Sequence, residues 1–106
     1  MPKYLIKASY TAEGIKGVLK DGGAKRRAAA EAAVKSTGGK LEGFYFAFGD
    51  SDALVIVDAP DNASIAAASM AIGASGLVIA TTTVLLTPEE IDQAVKKGAS
   101  YSGPGR

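Results

Sequence analysis

Few side chains in this chain can do chemistry, and two pairs at spacing two stand out. Lys7 and Ser9 lie in the run YLIKASY, and Thr81 and Thr83 in LVIATTTVLL. Spacing of two puts both members of a pair on one side of a strand. A lysine held among apolar neighbours can lose basicity or hold an anionic ligand. The plainer reading lays its stem along apolar surface with the ammonium in water. Threonines add hydroxyls for a polar ligand, and they also simply suit strands. Tyr4, Tyr10 and Tyr45 offer phenolic donors, or amphipathic packing at a core or an interface. Asp50 and Asp52 bracket Ser51 and could serve a metal or acid–base work. No third oxygen ligand or basic partner accompanies them, and aspartate favours turns by bonding its own backbone. The turn reading is preferred for that pair. The candidate ligand-binding set is Lys7, Ser9, Tyr45, Asp52, Thr81 and Thr83, with no metal site and no cofactor expected.

Composition narrows the chemistry further. The 106 residues make one domain, of a size that often gains stability by association. There is no cysteine and no histidine. Disulfides, thiol nucleophiles, Cys/His zinc sites and Ser-His-Asp triads are therefore excluded. Proton transfer would fall to carboxylates, lysine or tyrosine, and a metal would need oxygen ligands. Twelve basic against 11 acidic residues leave a net charge of +1, without the clustered excess that marks a nucleic-acid surface. Lys25-Arg26-Arg27 could clamp a phosphate, but Asp21 and Glu31 nearby favour a solvated helix face. The glycines at 14, 17, 22 and 23 form no phosphate loop. MPKYLIKASY has no apolar leader core, so a cytoplasmic protein is expected. Asn62 to Thr87 has no charge and is long enough for a membrane span. Its alanines, serines and threonines insert weakly, and its character changes at Ser75-Gly76, so a buried helix followed by a buried strand is expected.

The elements that must position these residues follow from local signals. Tyr4–Tyr10 alternates as a first strand. Thr11 caps a helix striped with Ile15, Val18 and Leu19. Gly14 and Gly17 weaken that helix by about 1 kcal/mol each, and Gly22-Gly23 interrupts it. A stronger helix runs Ala24–Thr37, with Glu31 and Lys35 as an i,i+4 pair, and ends at Gly38-Gly39. Two strands within Lys40–Asp58 follow, joined by a turn at Gly49-Asp50-Ser51. Asp61 caps a helix running to about Ala74, and Leu77–Leu86 is a fourth strand. Thr87-Pro88-Glu89-Glu90 is a capping box for a last helix bearing Ile91, Ala94 and Val95. Residues 1–97 form the domain and 98–106 a flexible tail.

The order β-α-β-β-α-β plus one helix is that of an α+β, ferredoxin-like antiparallel sheet with helices on one face. A sheet with one wet face should alternate apolar and polar residues. Here Phe44, Phe46 and Phe48 oppose Leu41, Tyr45 and Ala47. Leu54 and Ile56 oppose Val55 and Val57, and Ile79 and Leu85 oppose Val78 and Val84. The helices can cover one face only. A second copy is expected on the other, giving a dimeric α+β barrel. A lysine does not sit easily under helices, so Lys7 and Ser9 belong to the uncovered face.

The residues also resemble a known family. Tyr4-Leu5-Ile6, then Tyr10-Thr11-Ala12-Glu13-Gly14-Ile15, Arg27, and Gly38-Gly39-Lys40 before an aromatic strand are similar to the GYD domain proteins. The apolar strand after Asp52, the Pro60-Asp61 turn and the Thr-rich last strand fit too. The resemblance implies a dimeric α+β barrel and assigns no activity. One position departs from it: Ser51 stands where the glycine-x-tyrosine-aspartate turn has its tyrosine. Two functions are expected to compete. In one, a homo-oligomeric barrel binds a small apolar or aromatic molecule on the open sheet face. In the other, the interior is filled and the protein is a structural or interaction module. Whether it is an enzyme is left open. No nucleic-acid or membrane partner is expected.

Overall fold

A computed structural model describes residues 1–106. The elements are β1 (Lys3–Tyr10), α1 (Ala12–Asp21), α2 (Gly23–Ser36), β2 (Lys40–Phe46), β3 (Ala53–Asp58), α3 (Asn62–Ala74), β4 (Val78–Leu85) and α4 (Pro88–Lys97). Their boundaries follow the local chemistry. Thr11 accepts from the Gly14 amide, and Asp61 accepts from the Ser64 amide at 2.8 Å. Gly22, at φ 78°, breaks α1 from α2, and Gly76, at φ 73°, separates α3 from β4. The uncharged stretch from Asn62 thus divides into a helix and a strand, and no helix is long and apolar enough to cross a membrane.

The strands form one antiparallel sheet in the order β2-β3-β1-β4. That order and the helix placement are consistent with the ferredoxin-like arrangement. On one face Tyr4, Ile6, Leu41, Val55 and Val57 meet Val34 of α2 and Ile65 of α3 to make the core. Tyr4 is fully buried, yet its hydroxyl donates to the Asn62 Oδ1 at 2.6 Å, so burial leaves no orphaned polar group. Thr82 points to the same face, where its hydroxyl pairs with Ser69 of α3 at 2.9 Å.

Four expectations need correction. Leu41 lies on the helix-covered face, paired with Val57, because a bulge between Leu41 and Gly43 reverses the alternation of β2. Phe48 does not continue the aromatic side of the strand. It sits in the loop after Phe46 and is 108% exposed. That loop runs from Ala47 to Asp52 and is closed by the Ala47 amide donating to the Asp52 carbonyl at 2.9 Å, so it is longer than a tight turn. Finally, Glu31 and Lys35 form no ion pair; the basic cluster is anchored by Arg26 to Asp21 at 3.7 Å.

Candidate functional site

The face of the sheet turned away from α2 and α3 carries most of the candidate residues, and the strand register says how. Residues opposed across neighbouring antiparallel strands point to the same side. Tyr45, Leu54, Lys7 and Thr81 therefore form one row across all four strands. Gly43, Ile56, Leu5 and Thr83 form the next, and Ser9 opposes Ile79 beyond the first. The row places Lys7 on a central strand, with Leu5, Leu54 and Ile56 as its apolar neighbours on this face. Leu5, Leu54 and Ile56 are half-buried, while Tyr45 and Ile79 are 66% and 65% exposed. Phenolic and threonine hydroxyls stand at the two edges.

One end of this face is closed by charge, which sequence inspection had missed. Lys3 donates to Glu42 at 2.6 Å and to Asp58 at 2.9 Å. These hydrogen bonds from the ammonium, first to Glu42 and then to Asp58, hold the Lys3 pKa above its ordinary value. The signal was indirect: Lys3 opposes Asp58 in β3, and the bulge turns Glu42 toward it.

The other end opens on the loop Ala47–Asp52. There Lys7 and Leu54 share a depression of about 210 Å³ with Ala47, Gly49, Asp50 and Ser51. The position that departs from the family turn thus lies beside the lysine. Asp52 does not join them. Its carboxylate accepts the Tyr10 amide at 2.8 Å, and its own amide donates to the Ala8 carbonyl at 2.8 Å. It continues the β1–β3 ladder and is occupied structurally. No three carboxylates gather closely enough to hold a metal ion.

The larger hollows are on the helix side. One, of about 510 Å³, lies between α1 and the Phe48 loop and is lined by Tyr10, Ile15, Val18 and Phe46. Another, of about 560 Å³, runs between α2 and β2. Both are open clefts at the margin of the sheet. Under α2, where Ala29, Ala30 and Ala33 face Ile72, a hollow of only about 90 Å³ remains.

Fold and face together define a class: a small α+β protein whose antiparallel sheet is dressed by helices on one side and bare on the other. The sequence model of the GYD domain matches residues 4–95, and the chain belongs to the GYD domain family. No curated protein and no solved structure matches the chain.

Proposed function

We propose that the protein is a homo-oligomeric α+β barrel subunit that binds a small apolar or aromatic molecule on its bare sheet face. A polar or anionic group of that molecule would meet Lys7. The observation that carries this reading is the row Tyr45–Leu54–Lys7–Thr81, in which a lysine without an ion-pair partner stands beside Leu54 between two hydroxyl-bearing edges. Apolar residues so placed are costly to leave in water, at roughly 25 cal/mol per Å². A second copy stacked on this face would cover them and turn the depression beside Lys7 into an enclosed site.

The rival reading, a structural module with a filled interior, draws on one number. The depression of about 210 Å³ in a single chain falls below the usual ligand-pocket range of about 300–1,000 Å³. Two measurements separate the readings. Light scattering is expected to give at least twice the 10.7 kDa chain mass; a monomer refutes the barrel. Titration with an anilinonaphthalene sulfonate dye, an aromatic anion, is expected to show saturable binding weakened about tenfold by Lys7→Met. Dimers that ignore the dye, or a Lys7→Met variant that binds it unchanged, favour the filled interior.

A further inference from the structure

Phe48 is the most exposed large apolar side chain of the molecule, and it does not stand alone. With Tyr10, Ile15, Val18 and Phe46 it walls the cleft of about 510 Å³ between α1 and the loop Ala47–Asp52. That volume lies within the usual ligand-pocket range of about 300–1,000 Å³. The aromatic wall is held in place from behind. Phe46 meets the Phe44 ring edge-on, with centroids 5.2 Å apart. Gly23 leaves the Phe46 ring its room, since a Cβ there would come within 3.1 Å of it.

The only charged side chain lining this cleft is a carboxylate, that of Asp52. Its Oδ2 accepts the Tyr10 amide at 2.8 Å, while its backbone bonds Ala8 at 2.8 Å and Ala47 at 2.9 Å. The group is therefore fixed before any ligand arrives, which lowers the ordering cost of binding. Its Oδ1 accepts nothing within the chain. No buried side-chain oxygen lacks a partner, so Oδ1 is open to solvent, and the unbonded Tyr10 hydroxyl is open in the same way. No lysine or arginine lines the cleft, and Asp52 has no ion-pair partner. The sign of charge is the reverse of that on the bare face, where Lys7 stands.

We propose that this cleft is a further binding site, for a small arylalkylammonium ion. The ring of such a molecule replaces water against Phe46 and Phe48, and its ammonium donates to the Asp52 Oδ1. The faces of the aromatic wall attract the same cation through their quadrupoles. The Tyr10 hydroxyl can accept a further N–H. Other ligand classes fit worse. A neutral hydrocarbon would cover Oδ1 without giving it a donor. An anion would meet like charge with no base to offset it. The site is built by one chain on the helix side of the sheet, so it stands or falls apart from the barrel and from Lys7.

The chain has no tryptophan, so Phe48→Trp sets a single fluorescent reporter on the cleft wall. Titration of that chain with phenethylammonium is expected to shift the emission saturably. Phenethyl alcohol, neutral and of nearly the same shape, is expected to bind about tenfold more weakly, and the anion phenylacetate more weakly again. Adding Asp52→Asn keeps an oxygen for the Tyr10 amide and removes the charge. It is expected to weaken phenethylammonium about tenfold and to leave phenethyl alcohol unchanged. Loss of both ligands by the same factor makes Asp52 a structural residue only and overturns the assignment. Where Asp52→Asn does not fold, the ligands decide on the Phe48→Trp chain alone: equal affinities, or no saturable shift, overturn the site. Either failure leaves the barrel reading standing.

Discussion

Two glycines three residues apart in α1 should respond to alanine with opposite signs. In an open helix interior, alanine is favoured over glycine by about 1 kcal/mol. Gly17 has nothing within 4 Å of the position a Cβ would take, so Gly17→Ala should stabilise the protein by up to that amount. At Gly14 the added Cβ would sit 2.0 Å from the Leu77 carbonyl oxygen and 3.0 Å from its carbon. Backbone cannot rotate away as a side chain can, so α1 would have to back off from the start of β4. The same carbonyl accepts the Thr11 amide at 3.0 Å, so that hydrogen bond would go with it. Overpacking costs about 1–3 kcal/mol and the hydrogen bond about 1 kcal/mol. Less the helix gain, Gly14→Ala should destabilise by about 1–3 kcal/mol. Urea denaturation at one fixed protein concentration measures both, since any association would make the midpoint concentration-dependent. Equal stability of the two variants would refute the close approach of α1 to Leu77.

Asp52→Ala should cost about 1.5–3 kcal/mol, the range for a hydrogen bond to a charged group, while the folded fraction keeps any dye binding; a stable variant that loses binding would return Asp52 to the site. The Ser64 hydroxyl and amide hold the Asp61 pKa below its ordinary 3.8. Its capping contribution is therefore complete above that value and lost as pH falls through the lower folded-state pKa. Asp61→Asn keeps the cap and should lose less stability than the natural protein between pH 5 and about pH 2; identical pH profiles in urea denaturation would contradict this. Ser51→Tyr should fold normally, because Ser51 lies in a surface loop, but should weaken dye binding by filling the depression beside Lys7. Unchanged binding would place the dye elsewhere.

Much of the fold was legible because its punctuation is local. Thr11, Asp61 and Thr87 cap their helices as their types and positions imply, and Gly22 and Gly76 end elements where glycine alone is comfortable. Period-two spacing put Lys7 with Ser9 and Thr81 with Thr83, while the β1–β4 register is what sets both pairs on one face. What failed to show was set by longer contacts. The bulge at Glu42 shifts Leu41 to the core, and nothing in KLEGFYF marks it except a glycine. Phe48 keeps the spacing of Phe44 and Phe46 but falls after β2 has ended. Gly14 and Gly17 looked equivalent as weak helix residues; only the Leu77 carbonyl distinguishes them. Asp52 drew attention as one of a carboxylate pair, when its partner is the backbone of a strand 42 residues earlier.

The uncovered surfaces of this chain have different characters, and that difference bears on how it works. Only 12 of 106 residues are buried, although 47% of the sequence is hydrophobic. In β3, Ala53, Val55 and Val57 are buried while Leu54 and Ile56 are only half covered. A protein that stopped at one copy would gain by making Leu54, Ile56 and Ile79 polar, since each apolar side chain left in water forgoes about 1.5–3 kcal/mol of burial. Conversely, a face meant only for packing would gain by replacing Lys7, whose ammonium is expensive to cover without a partner. Apolar neighbours argue for coverage, and the lysine argues that something polar remains beneath the cover. A site completed by association would satisfy both demands.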